Sequence, residues 1–135
     1  MNSTISINKR GYRVNFAWLK DFSQLICRRY KISQEISVAI LSPAEIKKLN
    51  KIYRQKNKVT DVLSFNLEDE KILGEIIICL AQAKKQAQEK NISLQSELKL
   101  LLAHGTLHLL GYDHEISERE ARRQEKEEQL LLSKF

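Results

Sequence analysis

The sequence predicts a single α/β (α+β) domain, residues 1–135, in which about four strands are layered with helices. Two observations carry that expectation. Short apolar runs with strand character are interleaved with stretches of helical periodicity. The 135 residues hold one proline and four glycines, with no Ser/Gly-rich linker, repeat or low-complexity tract that would mark a second domain. A chain of this size buries roughly two-thirds of its unfolded surface, so neither a disulfide nor a metal is needed merely to fold.

Ile5 and Ile7 alternate with polar neighbours and predict a short first strand. Phe16, Leu19, Phe22, Ile26 and Tyr30 recur at helical spacing, which predicts a helix from about Asn15 to Tyr30. Ile36, Val38 and Ile40 alternate again as a second strand. Ser42-Pro43-Ala44-Glu45 is a capping box with proline at the first helical position, opening a helix to about Tyr53. Arg54 to Lys58 is polar and basic and reads as a loop.

Val62-Leu63-Ser64-Phe65 and Glu75-Ile76-Ile77-Ile78-Cys79 are β-prone and are joined around Asp69-Glu70-Lys71. The second is apolar on both faces, as a central strand would be. Leu80 to Lys90 is helical. Ser93 caps a further helix through Leu98–Ala103 to about Leu110, nearly apolar all round at its end and so expected to be the buried central helix. Gly111 suits its C′ position. Ser117 and Glu120 form a second capping box for a charged C-terminal helix ending near Leu131. Strand order is not readable from this pattern.

Apolar residues make up 42% and charged residues 30%, an ordinary soluble mix. Lys plus Arg number 23 against 17 Asp plus Glu, a formal charge of +6 that favours an acidic partner such as nucleic acid. Many small basic proteins nevertheless bind nothing charged. Cys27 and Cys79 lie far apart among apolar neighbours and read as buried free thiols, which suits a reducing cytosol. The N-terminus shows no basic segment followed by an apolar one, and no apolar run approaches the roughly 20 residues of a membrane span. The expectation is a soluble, cytoplasmic protein with no membrane partner.

All three histidines fall in His104-Gly105-Thr106-Leu107-His108-Leu109-Leu110-Gly111-Tyr112-Asp113-His114. His104 and His108 share one helix face, about 5–6 Å apart at Cβ, a separation suited to chelation. Gly111 can end the helix and turn the chain so that His114 returns over that face. Three imidazoles suit Zn²⁺ best, with copper, nickel and iron(II) as alternatives. One Zn²⁺ per chain on three protein ligands leaves a fourth position for water, the arrangement of a catalytic site. Bound zinc lowers the pKa of such a water to roughly 7. Three such side chains at this spacing outweigh the alternative of unconnected core and surface histidines.

The spacing matches the metzincin pattern H-E-x-x-H-x-x-G-x-x-H except that Gly105 stands where such proteases carry the glutamate general base. Peptide hydrolysis by that mechanism is therefore disfavoured. Glycine inside a helix costs about 1 kcal/mol against alanine, so a strand packs closely at Gly105 or substrate approaches it.

The histidine run closely resembles the signature of the YbeY family, bacterial rRNA-maturation endoribonucleases. Two more blocks carry the resemblance: Leu49-Asn50, Tyr53-Arg54-Gln55-Lys56 and Thr60-Asp61-Val62-Leu63-Ser64-Phe65, then Leu73-Gly74-Glu75-Ile76. Together they span roughly residues 36 to 120. The resemblance implies a small mixed sheet flanked by helices. It also implies a zinc-dependent, single-strand-specific endoribonuclease acting on rRNA precursor or the ribosome, in 3′ end maturation of small-subunit 16S rRNA and in ribosome quality control.

The family's zinc ligands fall on His104, His108 and His114, and its cleft arginine on Arg54. Val59 stands where the family usually has proline, as does Asn66 after Phe65, and Glu75 replaces the more usual aspartate. None of these departures touches the metal set.

Read from the residues alone, Arg54 is a solvated charge in a polar loop. The resemblance instead implies a guanidinium that grips phosphate and stabilises its developing charge. Asp61 reads as a turn or strand-start cap, and Asp113 as a turn residue or a carboxylate orienting a histidine. Lys56, Lys58, Arg122 and Arg123 read as a solvated face or as contacts to an RNA backbone. The competing readings are a metallohydrolase of another substrate class, such as a peptide or small amide, and a ribosome-assembly factor whose zinc is structural.

Overall fold

The computed structural model describes residues 5–53, 62–67, 69–112 and 117–134. Chain order is β1 (Ile5–Asn8), α1 (Leu19–Tyr30), β2 (Glu35–Leu41), α2 (Pro43–Tyr53), β3 (Val62–Asn66), β4 (Ile72–Cys79), α3 (Leu80–Lys90), α4 (Leu94–Leu109) and α5 (Glu118–Leu132). The strands form one mixed sheet in the order β1-β2-β4-β3. β1 and β2 are parallel, as are β2 and β4, and β3 runs antiparallel to β4 along one edge.

The doubly apolar β4 lies inside the sheet, and alternation assigns its two faces. Ile76 and Ile78 join Ile36, Val38 and Ile40 of β2 in the main core, under α1, α3 and α4. Ile77 and Cys79 face the other way and, with Leu41, pack beneath Ile46 of α2. Sheet residues buried on both sides must be apolar on both sides, and that is why β4 reads as an unbroken run.

Helix α1 begins at Leu19, four residues later than its apolar spacing predicts. Asn15 is the reason. Its Oδ1 accepts from Ala17 N at 2.9 Å, an Asx turn that competes with helix. Phe16 and Trp18 are still buried, through a ring contact of 5.6 Å with each other and an edge contact of 6.0 Å from Trp18 to Phe22.

The capping box at α2 forms in both directions: Ser42 N donates to Glu45 Oε1 (3.1 Å) and Glu45 N to Ser42 Oγ (3.2 Å). At α5 only one arm forms. Glu120 N donates to Ser117 Oγ at 3.2 Å, but the Glu120 carboxylate accepts from Arg123 at 3.0 Å. Cys27 and Cys79 are free, buried thiols. Among the described residues, no helix is long and apolar enough to cross a membrane.

Candidate metal centre

Helix α4 supplies the scaffold. Ser93 caps its start, accepting from Ser96 N at 3.0 Å. At its end Gly111, with φ of 98°, closes a Schellman turn: Gly111 N donates to His108 O and Tyr112 N to Leu107 O, each at 3.1 Å. Only glycine enters that conformation without strain. Asn66 Nδ2 donates to Leu109 O at 2.9 Å, so β3 satisfies one of the carbonyls that the helix end leaves without an intrahelical partner.

The buried positions of α4 include Leu98, Leu101, Leu102, Gly105 and Leu109, which fixes the helix's rotation against the sheet. His104 and His108 consequently sit half-buried at its border, one turn apart, with ring centroids separated by 6.2 Å and ring planes at 77°. His108 lies in the last turn, where the negative end of the helix dipole favours a cation. A small open pocket of about 180 Å³ runs beside His104, lined by Val62, Lys90, Glu97, Leu101 and Glu128 among others. Glu97 is fully buried there. Both of its carboxylate oxygens take Lys90 Nζ, at 2.7 and 3.0 Å, which compensates the charge.

Gly105 has a packing explanation. A Cβ there would stand 3.1 Å from Cγ2 and 3.2 Å from Cδ1 of Ile76, so β4 packs against the helix at this position. Of the two reasons the sequence allowed for a glycine, close strand packing is the one observed. Glu75 belongs to the opposite face of the sheet, in a hollow of about 590 Å³ shared with Arg10, Leu49 and Phe65, away from the histidines.

The sequence singled out neither Glu128 nor Gln124. Glu128 Oε1 lies 2.6 Å from His104 Nδ1, and Gln124 Nε2 donates to that same oxygen at 3.2 Å. Both belong to α5, where they are four residues apart among many other charged and polar side chains, so the pattern alone does not distinguish them. Glu127 binds Arg29 through both carboxylate oxygens, at 2.9 and 2.8 Å, raising the arginine's pKa above its ordinary value. Arg123 is placed over the Tyr112 ring at 4.3 Å, and Arg122 is exposed.

His114 and Arg54 lie outside the described residues, as do Asp113, Asp61, Lys56 and Lys58. Among the described residues, no group of three or more His, Cys, Asp or Glu is placed to hold a metal ion. The two histidines that are described do stand together on one helix face, as their spacing predicts.

Fold and site define a class: a small mixed-sheet domain whose buried helix presents paired histidines beside a carboxylate. Residues 3–135 match the family model described as Endoribonuclease YbeY, and the chain belongs to that family. It is 47% identical over 105 residues to Endoribonuclease YbeY of Aquifex aeolicus, an alignment covering 75% of this chain and 70% of that one. It is 40% identical over 126 residues to the protein of that name from Staphylococcus carnosus, with 82% of each chain covered. The solution structure of TM1509 from Thermotoga maritima superposes with a TM-score of 0.67 at 29% identity, covering 96% of this chain and 87% of that one. The relatives are named endoribonucleases, hydrolases of RNA phosphodiester bonds.

Proposed function

We propose that this protein is a zinc-dependent endoribonuclease that cleaves single-stranded RNA. In this reading it acts in the cytoplasm on rRNA precursor or the ribosome, in 3′ end maturation of small-subunit 16S rRNA and in ribosome quality control. His104, His108 and His114 hold one Zn²⁺ per chain, and Arg54 holds the scissile phosphate.

The observation that carries the reading is the histidine pair on α4 in a chain that matches the Endoribonuclease YbeY family over residues 3–135. The donor chemistry fits the metal: imidazoles one turn apart, one of them bonded at Nδ1 to a carboxylate, are what zinc ligands use. When bound, zinc supplies Lewis acidity, polarising a phosphoryl oxygen and making water a nucleophile at neutral pH. Arg54 supplies a planar, permanently charged fork that orients the phosphate and offsets the charge gathering on its oxygens. Gly105 supplies no base and is turned toward Ile76. The net charge of +6 favours RNA binding through the phosphate backbone.

The test combines metal analysis with cleavage of a single-stranded RNA oligonucleotide at low and moderate salt. The expected result is about one zinc per chain, affinity that falls with salt as condensed counterions are displaced, and cleavage lost with His114→Ala. Absence of RNA binding even at low salt would sink the reading.

A further inference from the structure

Helix α5 is unusually polar for an element that closes a core. Of its fifteen residues only Gln124 and Leu131 are buried, so apolar burial alone does not explain its seat on α4. Two of its polar side chains, Gln124 and Glu128, are directed instead at one imidazole.

The Glu128 side chain is 14% exposed, and its Oε1 takes His104 Nδ1 at 2.6 Å and Gln124 Nε2 at 3.2 Å. Gln124 Nε2 also approaches His104 Nδ1 at 3.1 Å. An ionised carboxylate only accepts, so its 2.6 Å contact needs a proton on Nδ1, and the Gln124 amide then donates to the carboxylate oxygen rather than to the ring. Turning the amide over would set its oxygen against the carboxylate, which repels it. The proton of the neutral His104 ring therefore belongs on Nδ1, because which nitrogen carries it is set by the hydrogen bond made there. The unprotonated nitrogen is then Nε2.

Two anchors hold α5 in this register. Glu127 on α5 grips Arg29 of α1, and Arg123 lies over Tyr112 just after the turn that ends α4. Glu128 is thus held by its helix as well as by its own bonds.

We infer that Glu128, backed by Gln124, is a positioning residue that locks His104 in the Nδ1–H tautomer and so commits Nε2 to the metal. The inference rests on the zinc reading above for its purpose, but the tautomer can be read without any metal. Residues that orient a metal-bound imidazole typically matter by about 10–100-fold in metal affinity.

The test uses the full chain as wild type, Glu128→Ala, Glu128→Gln and Glu128→Asp, with thermal melts to confirm folding. Long-range ¹H–¹⁵N correlation spectra of the metal-free protein, taken about two pH units above the ordinary imidazole pKa of about 6.5, report which His104 nitrogen is protonated. Nδ1–H is expected in wild type and in Glu128→Gln, whose amide oxygen still accepts, and a shift toward Nε2–H in Glu128→Ala.

Chelator competition then gives zinc affinity. Glu128→Ala should weaken it by about 10–100-fold, with Glu128→Gln restoring most of that. Glu128→Asp keeps the charge but falls one methylene short, so it should also weaken zinc several-fold, and it carries the test if the alanine variant does not fold. Nε2–H in wild type overturns the inference outright, as does unchanged zinc affinity in both Glu128→Ala and Glu128→Asp. Wild type showing Nδ1–H but binding no zinc overturns the metal reading and this residue's purpose together, while leaving the tautomer assignment intact.

Discussion

Gly105 of α4 and Ile76 of β4 approach so closely that a methyl group added at Gly105 would meet the Ile76 side chain at 3.1–3.3 Å, tight enough that Ile76 would have to shift by a few tenths of an ångström. Two effects oppose each other there. Alanine improves helix propensity by about 1 kcal/mol, whereas overpacking a core costs about 1–3 kcal/mol. Ile76 is fully buried and β-branched, so its rotamer cannot yield cheaply. Gly105→Ala should therefore lower unfolding stability by about 1 kcal/mol, read from urea denaturation. A more stable variant would mean that Ile76 gives way, and would return the glycine to a role in substrate approach.

The Asn66 side chain ties β3 to the Leu109 carbonyl at 2.9 Å. Removing one partly exposed hydrogen bond typically costs about 0.5–1 kcal/mol. Asn66→Ala should show a loss of that size. If the melt is unchanged, the end of α4 satisfies that carbonyl with water equally well.

Much of this architecture was legible because local chemistry and tertiary packing agree. The alternation in β2, the two-faced apolarity of β4, the capping box at Ser42 and the N-cap at Ser93 each name their element before any packing is known. Asn15 shows the limit, since its Asx turn outcompetes a helical apolar pattern through Phe16. The histidine pair was legible because a four-residue spacing on a helix fixes a distance. Glu128 was not, because it acts from a helix twenty-four residues further on, and nothing local in Glu125, Glu127 and Glu128 distinguishes the one that meets His104. Long-range partners on a charged helix require the docking geometry.

Acid should probe the α2 cap. Hydrogen bonds from the Ser42 backbone N–H and hydroxyl, and then the Arg10 charge, hold Glu45 below the usual carboxylate range. A depressed folded-state pKa means the stabilisation is complete above the ordinary value near 4.3 and is lost as pH falls through the folded one. The melting-temperature gap between wild type and Glu45→Gln should therefore be largest at neutral pH and close as pH drops below about 4. A gap independent of pH would show that the carboxylate's charge contributes nothing.

Zinc binding should respond to each proposed ligand. His108→Ala and His104→Ala should each strip the metal at micromolar free zinc, and lose the rise in melting temperature that a ligand specific to the folded state produces. Metal analysis after dialysis reads this directly. Full zinc in His108→Ala would show that the ligand set is wrong.

Arg54 separates catalysis from metal binding, because its proposed work is on the phosphate alone. It follows the last residue of α2, in a stretch whose sequence is polar and basic, so its loss should leave zinc content and melting temperature unchanged. RNA cleavage by Arg54→Ala should nevertheless fall by on the order of 10²-fold or more, the scale for removing a donor that stabilises developing charge. Arg54→Lys should recover only part of that, since an ammonium is a point charge and cannot engage two phosphate oxygens in one plane. A solvated arginine predicts something different: near-normal turnover with a slightly altered salt dependence. Single-turnover cleavage of a single-stranded oligonucleotide by the three proteins distinguishes the two. Near-normal turnover by Arg54→Ala would remove this residue from the site and leave the histidine centre to be explained without a phosphate clamp.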